Sequence, residues 1–358
     1  MSNFRELRIG SLTAKLPIVQ GGMGVGVSMS GLASAVANQG GIGVIAAAGL
    51  GLFERDAYTD FFDANIRALK KEIKKTREKT QGIIGVNIMV ALTNFADYVK
   101  AAIDEKIDII FSGAGLPINL PEFLNGSTHT KLVPIVSSGR AAGVIIKRWF
   151  DKYKYVPDAI VVEGPKAGGH LGYKKEQLDD PNCTLENALN DVIEAVKPYK
   201  ERFGREIPII AGGGIYTGAD IKRFMDMGAA GVQMATRFVT TTECDASEEF
   251  KNTYIDATEA DIGIIKSPVG LPGRAIRNSF IEQVEAGKRM PYKCPYHCII
   301  TCDYVNSPYC IALALMNAHR GNLNNGFAFA GSNAYRAEKI ISVKELVEQL
   351  EKEYDEEM

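Results

Sequence analysis

Asp158-Ala-Ile-Val-Val162 runs directly into Glu163-Gly-Pro-Lys-Ala-Gly-Gly-His170. The first half is apolar at consecutive positions, which predicts a short strand buried on both faces. The second half is a small-residue loop with two adjacent glycines and a histidine at its tip. Adjacent glycines let a backbone lie flat against a ligand, because no Cβ intervenes. A histidine in that position is placed for proton transfer or polarisation near neutral pH. Taken alone, the stretch reads equally well as a tight turn ending in a surface histidine.

The pattern recurs on both sides of this stretch. Leu16–Gln20, Ile42–Ala46, Ile83–Asn87, Ile107–Phe111, Leu132–Val136, Ile207–Ala211 and Ala230–Met234 are further short apolar runs. Each is followed by small or polar residues and then by a helix-like segment. With Asp158–Val162 they make eight, which predicts an α/β fold and selects a closed (β/α)8 TIM barrel over an open doubly wound sheet. Helices are predicted over Ser30–Gln39, Asp60–Arg77, Thr184–Phe203 and Thr217–Met227, with Ser30 and Thr217 as N-caps. The barrel is predicted to occupy residues 1–240. From about Thr241 the alternation lapses, so residues 241–335 are predicted to form a smaller C-terminal helical cap or lobe over one mouth. Residues 336–358 are predicted to be a C-terminal amphipathic helix and an acidic tail.

The 358 residues are 46% hydrophobic and 23% charged with a net charge of −2, the balance of an ordinary globular protein. With no basic surplus, nucleic acid and anionic membrane are excluded as expected partners. The N-terminus has no signal-like apolar region and no run reaches membrane-spanning length, so the expected location is cytoplasmic. Six cysteines are too few for a disulfide-built fold, but Cys294, Cys298, Cys302 and Cys310 cluster around His297. The first three share one face if a helix forms there. Three thiols and His297 could bind zinc or an iron–sulfur cluster, but the spacing is not the usual Cys-x2-Cys pair, so core packing is the expected reading, no metal ligand is assigned, and metal binding is the alternative.

Active sites of such barrels lie at the C-terminal ends of the strands. Here those ends supply Gln20 through Gly26, Ala46–Gly49, Asn87–Met89, Ser112–Gly115, Ser137–Gly139, Glu163–His170, Gly212–Gly214 and Gln233–Arg237. The candidate cofactor-binding residues are Gly21, Gly22, Met23, Gly24, Asn87, Glu163, Ala167, Gly168, Gly169, Gly212, Gly213, Gly214, Gln233, Met234, Ala235 and Thr236. A lining of amides and short side chains suits a large flat ligand. The loops after the last two strands, Gly212-Gly213-Gly214 and Ala235-Thr236, suit a phosphate. A flat ring plus a phosphate points to FMN.

As a set, Pro17-Ile-Val-Gln-Gly-Gly-Met23, Gly85-Val-Asn-Ile-Met89, Ser112-Gly-Ala-Gly115, Glu163–His170, Ala211-Gly-Gly-Gly-Ile215, Gly231-Val-Gln-Met-Ala-Thr-Arg-Phe238 and Gly270-Leu-Pro-Gly-Arg-Ala-Ile-Arg-Asn278 carry a family resemblance. Over residues 8 to about 280 the chain resembles the nitronate monooxygenases (2-nitropropane dioxygenase-like), close to the FabK-type enoyl-acyl-carrier-protein reductases. The resemblance implies an FMN-dependent oxidoreductase oxidising alkyl nitronates with O2. Its alternative is an NAD(P)H-dependent enoyl-ACP reductase of the FabK type. It further implies that Gly22, Met23 and Asn87 meet the flavin ring. Gly213, Gly214, Ala235 and Thr236 would hold the phosphate, with Gln233 nearby, and His170 would be catalytic. The implied partner is a small molecule, a nitronate or an enoyl thioester, and a homodimer is allowed. An inosine-monophosphate-type dehydrogenase would need a cysteine within residues 163–172, which contain none. Arg274 and Asn278 are read as braces of the cap.

Overall fold

Alternate side chains of each apolar strand go to different cores. Val19, Val44, Phe111, Val133, Val161 and Ile210 pack together in one cluster inside the barrel. Ile18, Ile45, Ile110, Leu132, Ile160, Val162 and Ile209 belong to a larger cluster that takes in the helices. A strand's two-residue pleat sends neighbours to opposite faces, so burial on both faces requires apolar residues throughout. The structure is a computed structural model describing residues 3–288, 294 and 296–357. Met1 and Ser2, residues 289–293 and 295 of the predicted cap, and Met358 of the acidic tail lie outside the described residues.

The strands are β1 (Ile18–Gln20), β2 (Gly43–Ala46), β3 (Ile84–Met89), β4 (Ile109–Gly113), β5 (Lys131–Val136), β6 (Ile160–Glu163), β7 (Ile209–Gly212) and β8 (Gly231–Met234). They form one eight-stranded sheet in which each pairs with its sequence neighbours and β8 returns to β1. All of these pairings are parallel; Val161, for example, pairs with Ile135 and with Ile210. The remaining seam closes where Ile42 bridges Val19, with Gln20 N donating to Ile42 O and Ile42 N to Ile18 O, both at 2.9 Å. The fold is therefore the predicted α/β barrel. A hairpin of Leu7–Ile9 and Leu12–Ala14 adds Leu7, Ile9 and Ala14 to the inner cluster.

Crossovers are helical, with one exception. Between β4 and β5 there is only the 3-10 turn Leu120–Leu124, where Pro117 and Pro121 withhold the amides a longer helix needs. The place in the helical layer after β8, between the helices Gly218–Asp226 and Ser30–Asn38, is filled from the far end of the chain. Helix Val343–Asp355 packs against Gly218–Asp226 and Ser30–Asn38, burying Val343, Leu346, Leu350 and Tyr354 in the main core. Arg237, just beyond β8, ties to it through Glu353 at 3.3 Å and Gln349 at 3.0 Å.

Thr217 caps its helix as expected, in a reciprocal pair with Asp220. Ser30 does not. The cap residue is Met29, and the carboxylate of Asp245, more than 200 positions away, accepts from the amides of Met29, Gly31 and Leu32 at 2.7, 2.9 and 3.1 Å. The segment after β8 also carries strands alongside its helices. Ile262–Lys266 and Pro272–Ile276 form an antiparallel pair, and Gly169–His170 adds a third strand beside Pro272–Ile276. The run Ile262-Gly-Ile-Ile-Lys266 is too β-branched to favour helix. Among the described residues, no helix is long and apolar enough to cross a membrane.

Candidate active site

A cavity of about 250 Å³ opens at the C-terminal mouth of the barrel. The ends of β1, β2, β3, β6, β7 and β8 line it, and those of β4 and β5 do not. It gathers Gly21, Gly22, Met23, Gly24, Asn87, Glu163, Ala167, Gly168, Gly169, His170, Gly213, Gly214, Gln233, Met234, Ala235 and Thr236. Gly212 is not among its lining residues. It lies one residue inside the ladder, where its carbonyl accepts from Gly164 N at 2.8 Å. Close approach explains Gly22, since a Cβ there would sit 2.4 Å from Asn87 Cβ.

The His170 loop is held from outside the barrel. Arg274, on the cap strand, donates to the carbonyls of Pro165 at 2.5 Å and Ala167 at 2.7 Å. His170 Nε2 lies 2.7 Å from Ser267 Oγ, and its ring meets Phe329 edge-on with centroids 4.9 Å apart. Burial lowers the imidazole pKa to about 4, so the ring is neutral at physiological pH. A neutral imidazole can accept a proton, and its bond to Ser267 restricts its rotation.

At the other end the cavity is lined by the loops after β7 and β8 and by the segment Ala330–Asn333. Gly213 and Gly214 take φ of 99° and 90°, which turns the chain after β7 sharply across the mouth. Thr236 Oγ1 accepts from Gly331 N at 3.0 Å, and Asn333 Nδ2 donates to Gly214 O at 2.7 Å. A C-terminal segment is thereby latched to both loops. Between these latches, Ser332 Oγ is buried without a protein hydrogen-bond partner among the described residues. Such an orphan is costly unless something else supplies the bond. Lys166 is the only lysine or arginine lining the cavity among the described residues.

A family model described as nitronate monooxygenase matches residues 5–353. The chain belongs to the nitronate monooxygenase family. Among its relatives is a probable nitronate monooxygenase of Staphylococcus aureus, 26% identical over 76% of this chain and 78% of that protein. Another, from Mycobacterium tuberculosis, is a (3aS,4S,5R,7aS)-5-hydroxy-7a-methyl-1-oxo-octahydro-1H-indene-4-carboxyl-CoA dehydrogenase. It is 28% identical over 76% of this chain, and the match spans 66% of its own length, just under two thirds. The solved structure of FabK from Thermotoga maritima superposes with a TM-score of 0.74 at 28% identity, covering 96% of this chain and 94% of that one. The relatives' names are those of oxidoreductases, and this member of the nitronate monooxygenase family is an oxidoreductase enzyme.

In this family member, Glu163 is the only carboxyl group among the described lining residues. Burial pushes its carboxyl up to about 7, so below neutrality it keeps its proton. Tyr173, in the segment that follows His170, donates to the Glu163 carbonyl at 2.8 Å and seats that segment against the site. Asn278 braces the cap as expected, donating to Leu323 O at 3.1 Å and Gly326 O at 2.8 Å. Sequence reading misses Ser267, Phe329 and Ser332. The first two follow no strand of the barrel and reach His170 only through folding. Ser332 had a signal, because Ala330-Gly-Ser-Asn333 is a small-residue run of the kind that lines the strand ends.

Proposed function

We propose that the cavity binds FMN and that the enzyme oxidises alkyl nitronates with O2, using His170 as its catalytic residue. The observation that carries this reading is the meeting, in one cavity, of a neutral histidine, a glycine-lined wall beside Asn87, and an anion end with an unpartnered serine hydroxyl. The donor set fits the cofactor. Gly22 and Met23 lie with Asn87 where a flat ring can approach the backbone. Gly213, Gly214, Ala235, Thr236 and Ser332 would hold the phosphate, with Gln233 and Lys166 nearby. When bound, the isoalloxazine supplies the redox chemistry and reacts with O2.

The chain's own residues handle protons and position. His170 takes the α-proton of a nitroalkane on an imidazole nitrogen or holds the bound nitronate, with Ser267 keeping the ring in place. Glu163 carries its proton below neutrality and can donate to a developing negative charge. Met89, Leu92, Ile299 and Leu315 supply an apolar wall that limits water. The purified protein is expected to be yellow, and its flavin to respond when titrated anaerobically with a nitronate. A preparation that stays colourless after incubation with excess FMN rules this reading out.

A second reading, reduction of an enoyl thioester by NAD(P)H, is favoured by the likeness to FabK. There His170 would polarise or protonate the substrate. Anaerobic NADH separates the two: rapid bleaching of the flavin supports the reductase, and a response to the nitronate alone supports the monooxygenase.

A further inference from the structure

A second, smaller cavity lies in the cap, lined by Cys294, His297, Cys298, Cys302 and Cys310. None of the four cysteines is in a disulfide. They stand four, four and eight positions apart in sequence. No helix brings them together. The chain from 296 to 310 is irregular, turns at His297 with φ of 44°, and is pinned by Thr93 N to Cys298 O at 3.1 Å and Ile300 N to Ala91 O at 2.9 Å. Cysteines buried merely as small apolar groups have no reason to converge. These four line one small cavity together with His297.

Four thiols lining one mostly apolar pocket are a ligand set for a thiophilic metal centre, whose positive charge offsets that of the bound thiolates. Cys310 is also the N-cap of helix Ile311–His319, whose N-terminal end favours negative charge. A single ion is a poor fit. Zinc–sulfur bonds of about 2.3 Å put tetrahedral sulfurs roughly 3.8 Å apart. Among the described residues, no three His, Cys, Asp or Glu side chains form a group that could hold one metal ion. An iron–sulfur cluster asks for a wider ring, because each cysteine binds a different iron atom.

We propose that Cys294, Cys298, Cys302 and Cys310 are the ligands of a [4Fe–4S] cluster. Cys298, Ile299 and Ile311 line both cavities, so the cluster would share a wall with the proposed flavin site. The cavity measures only about 20 Å³, so insertion must spread the loop. The loop's surface residues Ile300 and Val305, 67% and 68% exposed, leave it room to move. This inference rests on the thiols and holds whether or not flavin binds.

The test is the full chain purified without oxygen, incubated with equal amounts of ferrous and ferric iron and with sulfide, and desalted. Iron, acid-labile sulfide, zinc and flavin are then measured, and a Mössbauer spectrum is recorded, to which flavin is silent. About four irons and four sulfides per chain are expected. Cys302→Ala should lose most of the iron while keeping its circular dichroism and flavin content, since Cys302 lines only the small cavity. Absence of iron and sulfide after incubation overturns the proposal, as does one zinc per chain. Unchanged iron in a Cys294→Ala/Cys302→Ala double variant overturns it too. If the variants do not fold, the wild-type stoichiometry and spectrum decide alone.

Discussion

The active-site cavity has two walls of different origin. The barrel wall is mostly backbone: glycines after β1, β6 and β7, with Asn87, Glu163, Lys166, His170, Gln233 and Thr236 among its polar side chains. The cap wall and C-terminal segment contribute side chains from positions far along the chain: Ser267 on His170, Arg274 on the His170 loop, Phe329 against the imidazole, and Ser332 between the two latches. The first wall offers shape and the histidine. The second holds that histidine still and completes the polar set. The contrast teaches that a barrel mouth supplies a place for chemistry, while orientation is imposed by an added layer that is free to vary.

Substitutions can break this division. The largest effect is expected on the barrel wall: His170→Asn should keep flavin bound while turnover falls about 10²–10⁴-fold. Stopped-flow reduction and steady-state assays check this, and equal activity in the variant removes His170 from the mechanism. The join between the walls comes next. Asp245→Ala strips three amides of helix Ser30–Asn38 of their shared acceptor. A loss of about 2 kcal/mol in urea unfolding is expected, at the upper end for a helix cap.

On the cap wall, Ser332→Ala should weaken FMN binding about tenfold, the worth of one hydrogen bond to a charged group. Fluorescence titration of the flavin measures it, and unchanged affinity would place the phosphate elsewhere. The smallest effect concerns Glu163. Its folded pKa of about 7 lies above the ordinary 4.5, so the unfolded chain releases this proton first as pH rises. Its contribution to stability is full below about 4.5 and is lost between 4.5 and 7. Melting curves of flavin-free protein should show Glu163→Gln flattening the pH dependence in that window.

The same division separates what could be read in advance from what could not. The eight strands were legible because each is a short apolar run, and the pleat sends its neighbours into two cores. The candidate lining followed, since a strand's C-terminal end is known once the strand is. Gly212 lies one position short of the cavity lining, because ladder hydrogen bonding continues one residue further than the apolar run suggests. Ser30 failed as a cap because a distant carboxylate outcompeted its own hydroxyl for the amides. The cap strands were hidden by Gly263 and the turn around Gly270, which interrupt an otherwise β-branched pattern.

The amino-acid order alone determined the barrel and which loops face its mouth. Both follow from side-chain periodicity and local backbone freedom, which act between near neighbours. Only tertiary structure decided that Ser267 meets His170, that Ser332 is buried between the two latches, that the C-terminal helix completes the helical layer, and that four thiols surround one small cavity. Each of these joins residues far apart in the chain or across an irregular loop, where no local period records the contact and only the packing of the whole molecule brings the partners together.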